Sequence, residues 1–270
     1  MFSPKPSTPL TQVVTRDLRA ILEGPPDASN LHNALRLLAK WRAQLLENTM
    51  VAHTGRFVHS GPFKGMIYDV KATEGAGLAR LLGCYEASLA PIFEDIIARA
   101  YPVVMDIGCA EGYYAVGLAR RMPDVKVMAH DTNPKAQEAC RLLAKSNAVG
   151  NRVQVGGTIN HAAFDICIDQ KTLVLCDIEG GEAALLDPIA APGLKLADIL
   201  VEVHDCFDEG LSDRISERFA DTHQIERFGR TVNMAALPDW MESLSDLDRV
   251  LSLWEWRMGP TPWLWLKSND

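Results

Sequence analysis

A chain of 270 residues, 47% of them hydrophobic, can bury one sizeable core and carry a small appendage. Its 27 Lys and Arg stand against 35 Asp and Glu, a formal net charge of −8, which disfavours a nucleic-acid partner bound through its phosphates. The six cysteines form no CxxC pair, so neither a zinc site nor a disulfide framework is expected; they suit a reducing cytosol.

The opening MFSPKPSTPL has no apolar core of signal length, and no apolar run is long enough to span a bilayer; a cytoplasmic protein with no membrane partner is expected. Val13, Val14, Leu18, Ile21 and Leu22 recur at helical spacing before Gly24-Pro25-Pro26. Leu31, Ala34, Leu35, Leu38, Trp41 and Leu45 then form a second stripe, so two antiparallel helices open the chain. Residues Val51 to Tyr68 hold Gly and Pro among aromatics and predict a structured loop. Another helical stretch covers Ala76 to Ala100, with a break at Pro91, and Pro102 ends it. Residues 1–101 therefore read as a helical N-terminal segment, either a lid or a surface for homodimerisation, ahead of a domain covering 102–270.

Beyond Pro102 the pattern changes to short Val, Ile and Leu runs alternating with helical stretches, the signature of an α/β fold with a parallel sheet covered on both faces. Strands are expected at Val103–Ile107, Val125–Ala129, Arg152–Val155, Leu173–Cys176, Ile199–Val203, Gln224–Phe228 and Trp263–Lys267. Helices are expected to start near Gly112, Asn133, Thr158, Gly181 and Asp208. This order predicts a Rossmann-like, seven-stranded, mostly parallel sheet closed by an antiparallel hairpin.

The first strand runs into Asp106-Ile107-Gly108-Cys109-Ala110-Glu111-Gly112, where an open α/β sheet binds a nucleotide, and a helix opens at Tyr113. Gly108 and Gly112 permit a sharp turn and close approach to a ligand, while Ala110 replaces a glycine of the dinucleotide fingerprint. Asp106 would repel a pyrophosphate but accepts hydrogen bonds from an ammonium or from water around it. Asp131, closing the second strand, is placed to bind both hydroxyls of a ribose. An adenosine ligand without phosphates is favoured over the alternative of a nicotinamide-dependent dehydrogenase.

DIGCAEG with the downstream acid resembles motifs I and II of class I S-adenosylmethionine-dependent methyltransferases. DIEGGE at Asp177–Glu182 and VEVH within Ile199–His204 are similar to signatures of FkbM-type methyltransferases, over roughly Val103 to Phe219. That family usually has Glu-Pro where His130-Asp131-Thr132-Asn133 stands here. The resemblance implies S-adenosylmethionine as cofactor, held by Asp106, Gly108, Cys109, Ala110, Glu111, Gly112, Tyr113, Asp131, Thr132 and Asp177. It also implies adenine contacts from the Gly156–His161 loop, with Thr158 and Asn160, and O-methylation of a small-molecule or sugar hydroxyl.

Asp177 and Glu179 follow the fourth strand; Glu202, His204 and Asp205 follow the fifth, its expected neighbour. Strand alternation sends Glu202 and His204 to one side, so Glu202 is expected to raise the pKa of His204, the candidate general base. An alcohol acceptor needs such a base, whereas the amine of an N-methyltransferase substrate needs alignment more. The rival arrangement is a magnesium ion held by Asp177 and Asp205. Tyr85 and Glu86 are candidates to contact the substrate, and Arg257, among tryptophans clustered in the final 31 residues, to pair with a substrate carboxylate. Trp263 and Trp265 are expected in the core, with Trp41.

Overall fold

The computed structural model describes residues 8–73, 75–257 and 259–270; the start of the Pro-rich opening, residues 1–7, lies outside them. Helix α1 (Pro9–Leu22) begins at an N-cap, Thr8, whose side chain accepts from the Thr11 amide. Helix α2 (Ala28–Thr54) begins likewise at Asp27 and runs on to Gly55, where φ of 75° ends it. The expected loop thus starts later than Val51, because Val51 to Thr54 continue the helix without a breaker. The loop is tied by a Phe57–Ile67 bridge. The stretch after Ala76 divides into α3 (Gly77–Leu82), a short 3-10 turn, and α4 (Ala90–Arg99), with Pro91 in the first turn of α4 as the sequence suggests.

The sheet follows: β1 (Val103–Ile107), α5 (Tyr113–Arg121), β2 (Lys126–His130), α6 (Pro134–Ser146), β3 (Val153–Gly156), α7 (Ile166–Asp169), β4 (Thr172–Cys176), α8 (Glu182–Leu185), β5 (Asp198–Glu202), α9 (Leu211–Phe219), β6 (His223–Phe228), α10 (Asp246–Ser252) and β7 (Trp263–Ser268). All seven predicted strands are present, within a residue or so at each end. The strand order is β3-β2-β1-β4-β5-β7-β6, with β7 antiparallel to both β5 and β6 and the other pairs parallel. This is a Rossmann-like sheet whose winding reverses between β1 and β4, so the crevice outside the carboxyl ends of those strands is the natural ligand site. Two of the expected helices shrink to a single turn, α7 and α8, and the former is preceded by a 3-10 turn at His161–Asp165.

Strands β1, β4 and β5 are buried along their whole length, which is why they read as continuous apolar runs. Alternation divides the core. Val104, Leu173, Leu175 and Leu200 face one side with α5 and the N-terminal segment, while Met105, Val174, Ile199 and Val201 face the other with α9. Phe63 packs against Phe93 and Tyr113, and Gly117 lies beneath it, where an added Cβ would sit 2.5 Å from the Phe63 ring. The N-terminal segment therefore shares one continuous core with the sheet. Trp263 and Trp265 are buried as expected, and Trp41 is half-buried. Leu22, Leu31 and Leu35 of the α1–α2 hairpin remain exposed. No helix among the described residues is long and apolar enough to cross a membrane.

Candidate functional site

The turn after β1 is shaped by three left-handed residues: Gly108 (φ 85°), Ala110 (φ 47°) and Gly112 (φ 91°). A Cβ on Gly108 would collide with the Asp177 carbonyl oxygen, so this glycine allows β1 and β4 to close on each other at the crevice. Gly108→Ala combines that collision with an unfavourable φ, and is expected to lower Tm by at least about 5 °C. Gly229→Ala, where a Cβ meets open space, should leave it unchanged; thermal denaturation of the two variants checks this.

Outside the strand ends lies a groove of about 690 Å³. Gly108, Asp131 and Thr132 form one side, the Gly157–His161 loop with Thr158 and Asn160 another, and Asp177 to Glu179 the third. Ile159, Ile178 and Leu185 provide apolar walls. Asp131 Oδ2 accepts from the Ala110 amide at 3.0 Å and Oδ1 from the Asn133 amide at 2.7 Å, which fixes its carboxylate at the groove edge. Three carboxylates, Asp131, Asp177 and Glu179, line the groove, and the described lining residues include no Lys or Arg.

Asp106 lies beneath the turn rather than in the groove. It is 1% exposed, its Oδ2 has no hydrogen-bond partner, and burial pushes its pKa up to about 7. A buried acceptor without a donor is what a nearby ammonium or water would satisfy. Cys109, Ala110 and Tyr113 are likewise buried, so of the turn residues it is Gly108 that faces the groove.

Glu111 has a different role from the ligand contact expected of it. Its carboxylate accepts from Tyr68 Oη at 2.6 Å, from the Thr73 amide at 3.0 Å and from Thr73 Oγ1 at 2.7 Å, and pairs with Arg80 Nε at 3.2 Å. Burial alone would raise its pKa, but the Arg80 charge and these donors hold it below the usual carboxylate range. Glu111 thus fastens the N-terminal segment to the turn after β1.

A second cavity of about 150 Å³ adjoins the groove and shares Asp177 and Glu179 with it. Its walls include Arg80, Tyr85, Glu202, His204, Phe207, Trp256 and Arg257. Strand β5 ends at Glu202, one residue before expected, yet Glu202 and His204 line the same cavity, as alternation predicts, and the Glu202 charge helps to raise the His204 pKa. Glu202 turns to Arg257, and His204 Nδ1 instead meets Glu182 Oε1 at 2.7 Å. Glu182 is fully buried and also accepts from the Gly180 amide at 2.9 Å. Burial would lower the His204 pKa, but the Glu182 hydrogen bond and the surrounding carboxylates override it and raise the value. With Glu182 ionised, Nδ1 carries the donated proton and Nε2 is the free base, 3.7 Å from Asp177 Oδ1. Glu182 was not singled out in the sequence, where it reads as the end of DIEGGE opening a helix.

Asp205 does not join this cluster. It accepts from the Ser212 amide at 2.9 Å, from Ser212 Oγ and from Arg227 at 3.1 Å, so the expected Asp177–Asp205 magnesium pair is not assembled. Among the described residues, Asp177, Glu182 and His204 are the one group of three whose ligand atoms lie close enough to share an ion, within 4.8 Å. The direct bond from His204 Nδ1 to Glu182 makes that carboxylate an orienting partner of the imidazole. Glu86 and Arg257 also pair with each other, and Glu86 accepts from Tyr114 Oη.

No protein-family model and no curated protein matches this chain. Among solved structures, similarity extends to the O-methyltransferase TomG from Streptomyces achromogenes involved in tomaymycin synthesis, in complex with SAM. That alignment has 13% identity, covers 84% of this chain and 90% of that one, and has a TM-score of 0.43. An O-methyltransferase from Bacillus cereus in complex with SAH aligns at 13% identity over 96% of this chain and 99% of that one, with a TM-score of 0.43. Cofactor-bound Rv0187 from MTB aligns at 15% identity over 98% and 100%, with a TM-score of 0.40. The chain's own geometry defines a Rossmann-like protein with a groove at the strand ends that opens onto a smaller ionisable cavity.

Proposed function

We propose that this chain is an S-adenosylmethionine-dependent methyltransferase acting on a hydroxyl of a small molecule. The charge of the groove carries the reading: Asp131, Asp177 and Glu179 line it, and the described lining residues offer no Lys or Arg. A dinucleotide pyrophosphate would meet carboxylates and no cation there, whereas an adenosine bearing a cationic amino acid is complemented. The turn at Gly108 and the Asp131 carboxylate at the ribose position fit that ligand. When bound, S-adenosylmethionine supplies an electrophilic methyl group. Thr132, Thr158 and Asn160 would complete its binding site from the groove walls.

The protein's part is to align the acceptor and remove its proton. His204 Nε2 takes the hydroxyl proton, and Glu182 fixes the tautomer and stabilises the imidazolium that results. Asp177 stands between groove and cavity, and Tyr85 and Arg80 bring the N-terminal segment into the cavity wall as a lid. The two FkbM-like segments meet here, since Glu182 ends one and His204 the other, which supports that kinship. The rival Asp177–Asp205 magnesium pair is not favoured, because Asp205 is committed to Ser212 and Arg227.

The pH dependence is a direct test. The base must be neutral, and its pKa is raised, so kcat should rise with pH through a value above the ordinary 6.5 of histidine. The stability linkage has the opposite slope: the Glu182–His204 contribution is fully present below the unfolded histidine pKa and is lost as pH climbs through the raised folded value. Methyl-transfer rates and Tm measured from pH 5 to 9 should therefore move in opposite directions across that window. A pH-independent rate would remove His204 as the base.

A further inference from the structure

The cavity beside His204 contains more negative charge than its arginines neutralise. Arg80 is 3% exposed and taken up by Glu111, with its guanidinium also over the Tyr85 ring at 4.1 Å. Arg257 is shared by three carboxylates: Glu86, Glu202 and, at 3.1 Å, Glu255. It also donates to Thr261 Oγ1 at 2.5 Å, so its donors are turned to its own chain. One guanidinium offsets one of those three carboxylates. Burial pushes Glu86 up to about 7, and with Glu86 protonated a surplus of one negative charge still remains. Asp177 and Glu179 at the junction with the groove are additional to that count. Arg257 is therefore not the anchor for a substrate carboxylate that the sequence suggests; an anionic acceptor would enter a pocket already negative.

Resting on the methyltransferase reading, we infer that the methyl acceptor carries a cationic group, an ammonium of a small amino alcohol or aminophenol, held at the Glu202–Glu255 end of the cavity while its hydroxyl faces His204. Charge complementarity in this small cavity selects the cation, and Phe207 and Trp256 give apolar walls for the carbon skeleton. Glu202 is 2% exposed and faces the cavity, so its charge is poorly screened.

Calorimetric titration of protein saturated with S-adenosylhomocysteine tests this without requiring turnover. Two matched sets serve as probes: tyramine, para-ethylphenol and para-hydroxyphenylpropionate, and the smaller ethanolamine, ethylene glycol and glycolate. In at least one set the cation should bind about tenfold or more tightly than its neutral counterpart, and the anion should not bind. Glu202→Gln and Glu255→Gln, each leaving Arg257 two carboxylate partners, should reduce that preference at least threefold. Equal or tighter binding of the neutral or anionic members, or no cation binding in either set, overturns the inference while leaving the donor site intact. Failure of S-adenosylhomocysteine itself to bind would instead remove the methyltransferase reading.

Discussion

Replacing His204 by Ala is expected to lower kcat by about 10²–10⁴-fold while leaving the affinity for S-adenosylmethionine unchanged. The imidazole lines the small cavity and not the larger groove proposed to hold the cofactor, which is why the two readouts should separate. Glu182→Gln should cost less, because the amide oxygen still accepts the Nδ1 proton but no longer stabilises a charged ring. It should also move the rising limb of the pH–rate profile to lower pH, since a carboxylate that raises the His204 pKa has been removed. A merely structural role for Glu182 would lower activity at every pH without moving the limb. Single-turnover rates against pH for the three proteins distinguish these outcomes.

The second large effect is on stability. Glu111→Ala should destabilise the fold by about 3–5 kcal/mol, because Arg80 would be left buried and unpaired and Tyr68 and Thr73 would lose their acceptor. For a chain of this size that corresponds to a fall in Tm of roughly 10 °C. Arg80→Met combined with Glu111→Gln should recover part of the loss, since neither charge then remains. By contrast, Glu226→Ala, which removes an exposed partner of Lys267 across β6 and β7, should leave Tm nearly unchanged. Differential scanning calorimetry of the variants tests the ranking. Loosening of this latch should also weaken donor binding, as Thr73 lines the groove.

The sheet was legible because its central strands are buried on both faces and so appear as unbroken Val, Ile and Leu runs, bounded by glycines whose positive φ the turns require. The glycine turn and the place of Asp131 at the groove edge were legible for the same local reason: both depend on position at a strand end. What the sequence concealed was which charges pair. Glu182 and His204 are 22 residues apart, and Arg257 meets Glu86 across 171 positions, separations at which no spacing rule applies. Alternation brought Glu202 and His204 to one cavity, where the Glu202 charge helps to raise the histidine pKa, but it could not show that Glu182 is the hydrogen-bond partner. Glu111, inside the most recognisable motif, faces inward to Arg80 of α3 and Tyr68 of the preceding loop, partners at separations that no spacing rule reaches. The N-terminal segment was legible as helices and, at Tyr85, as a wall of the small cavity, but its latch to the turn through Glu111 was not.

Calorimetric titration of the purified protein with S-adenosylmethionine and S-adenosylhomocysteine, with and without magnesium, is the most direct test of the central claim. Micromolar binding of both, indifferent to magnesium and weakened by Asp131→Ala, is the predicted result. Absence of binding by either ligand, in folded protein free of copurified nucleoside, would contradict it.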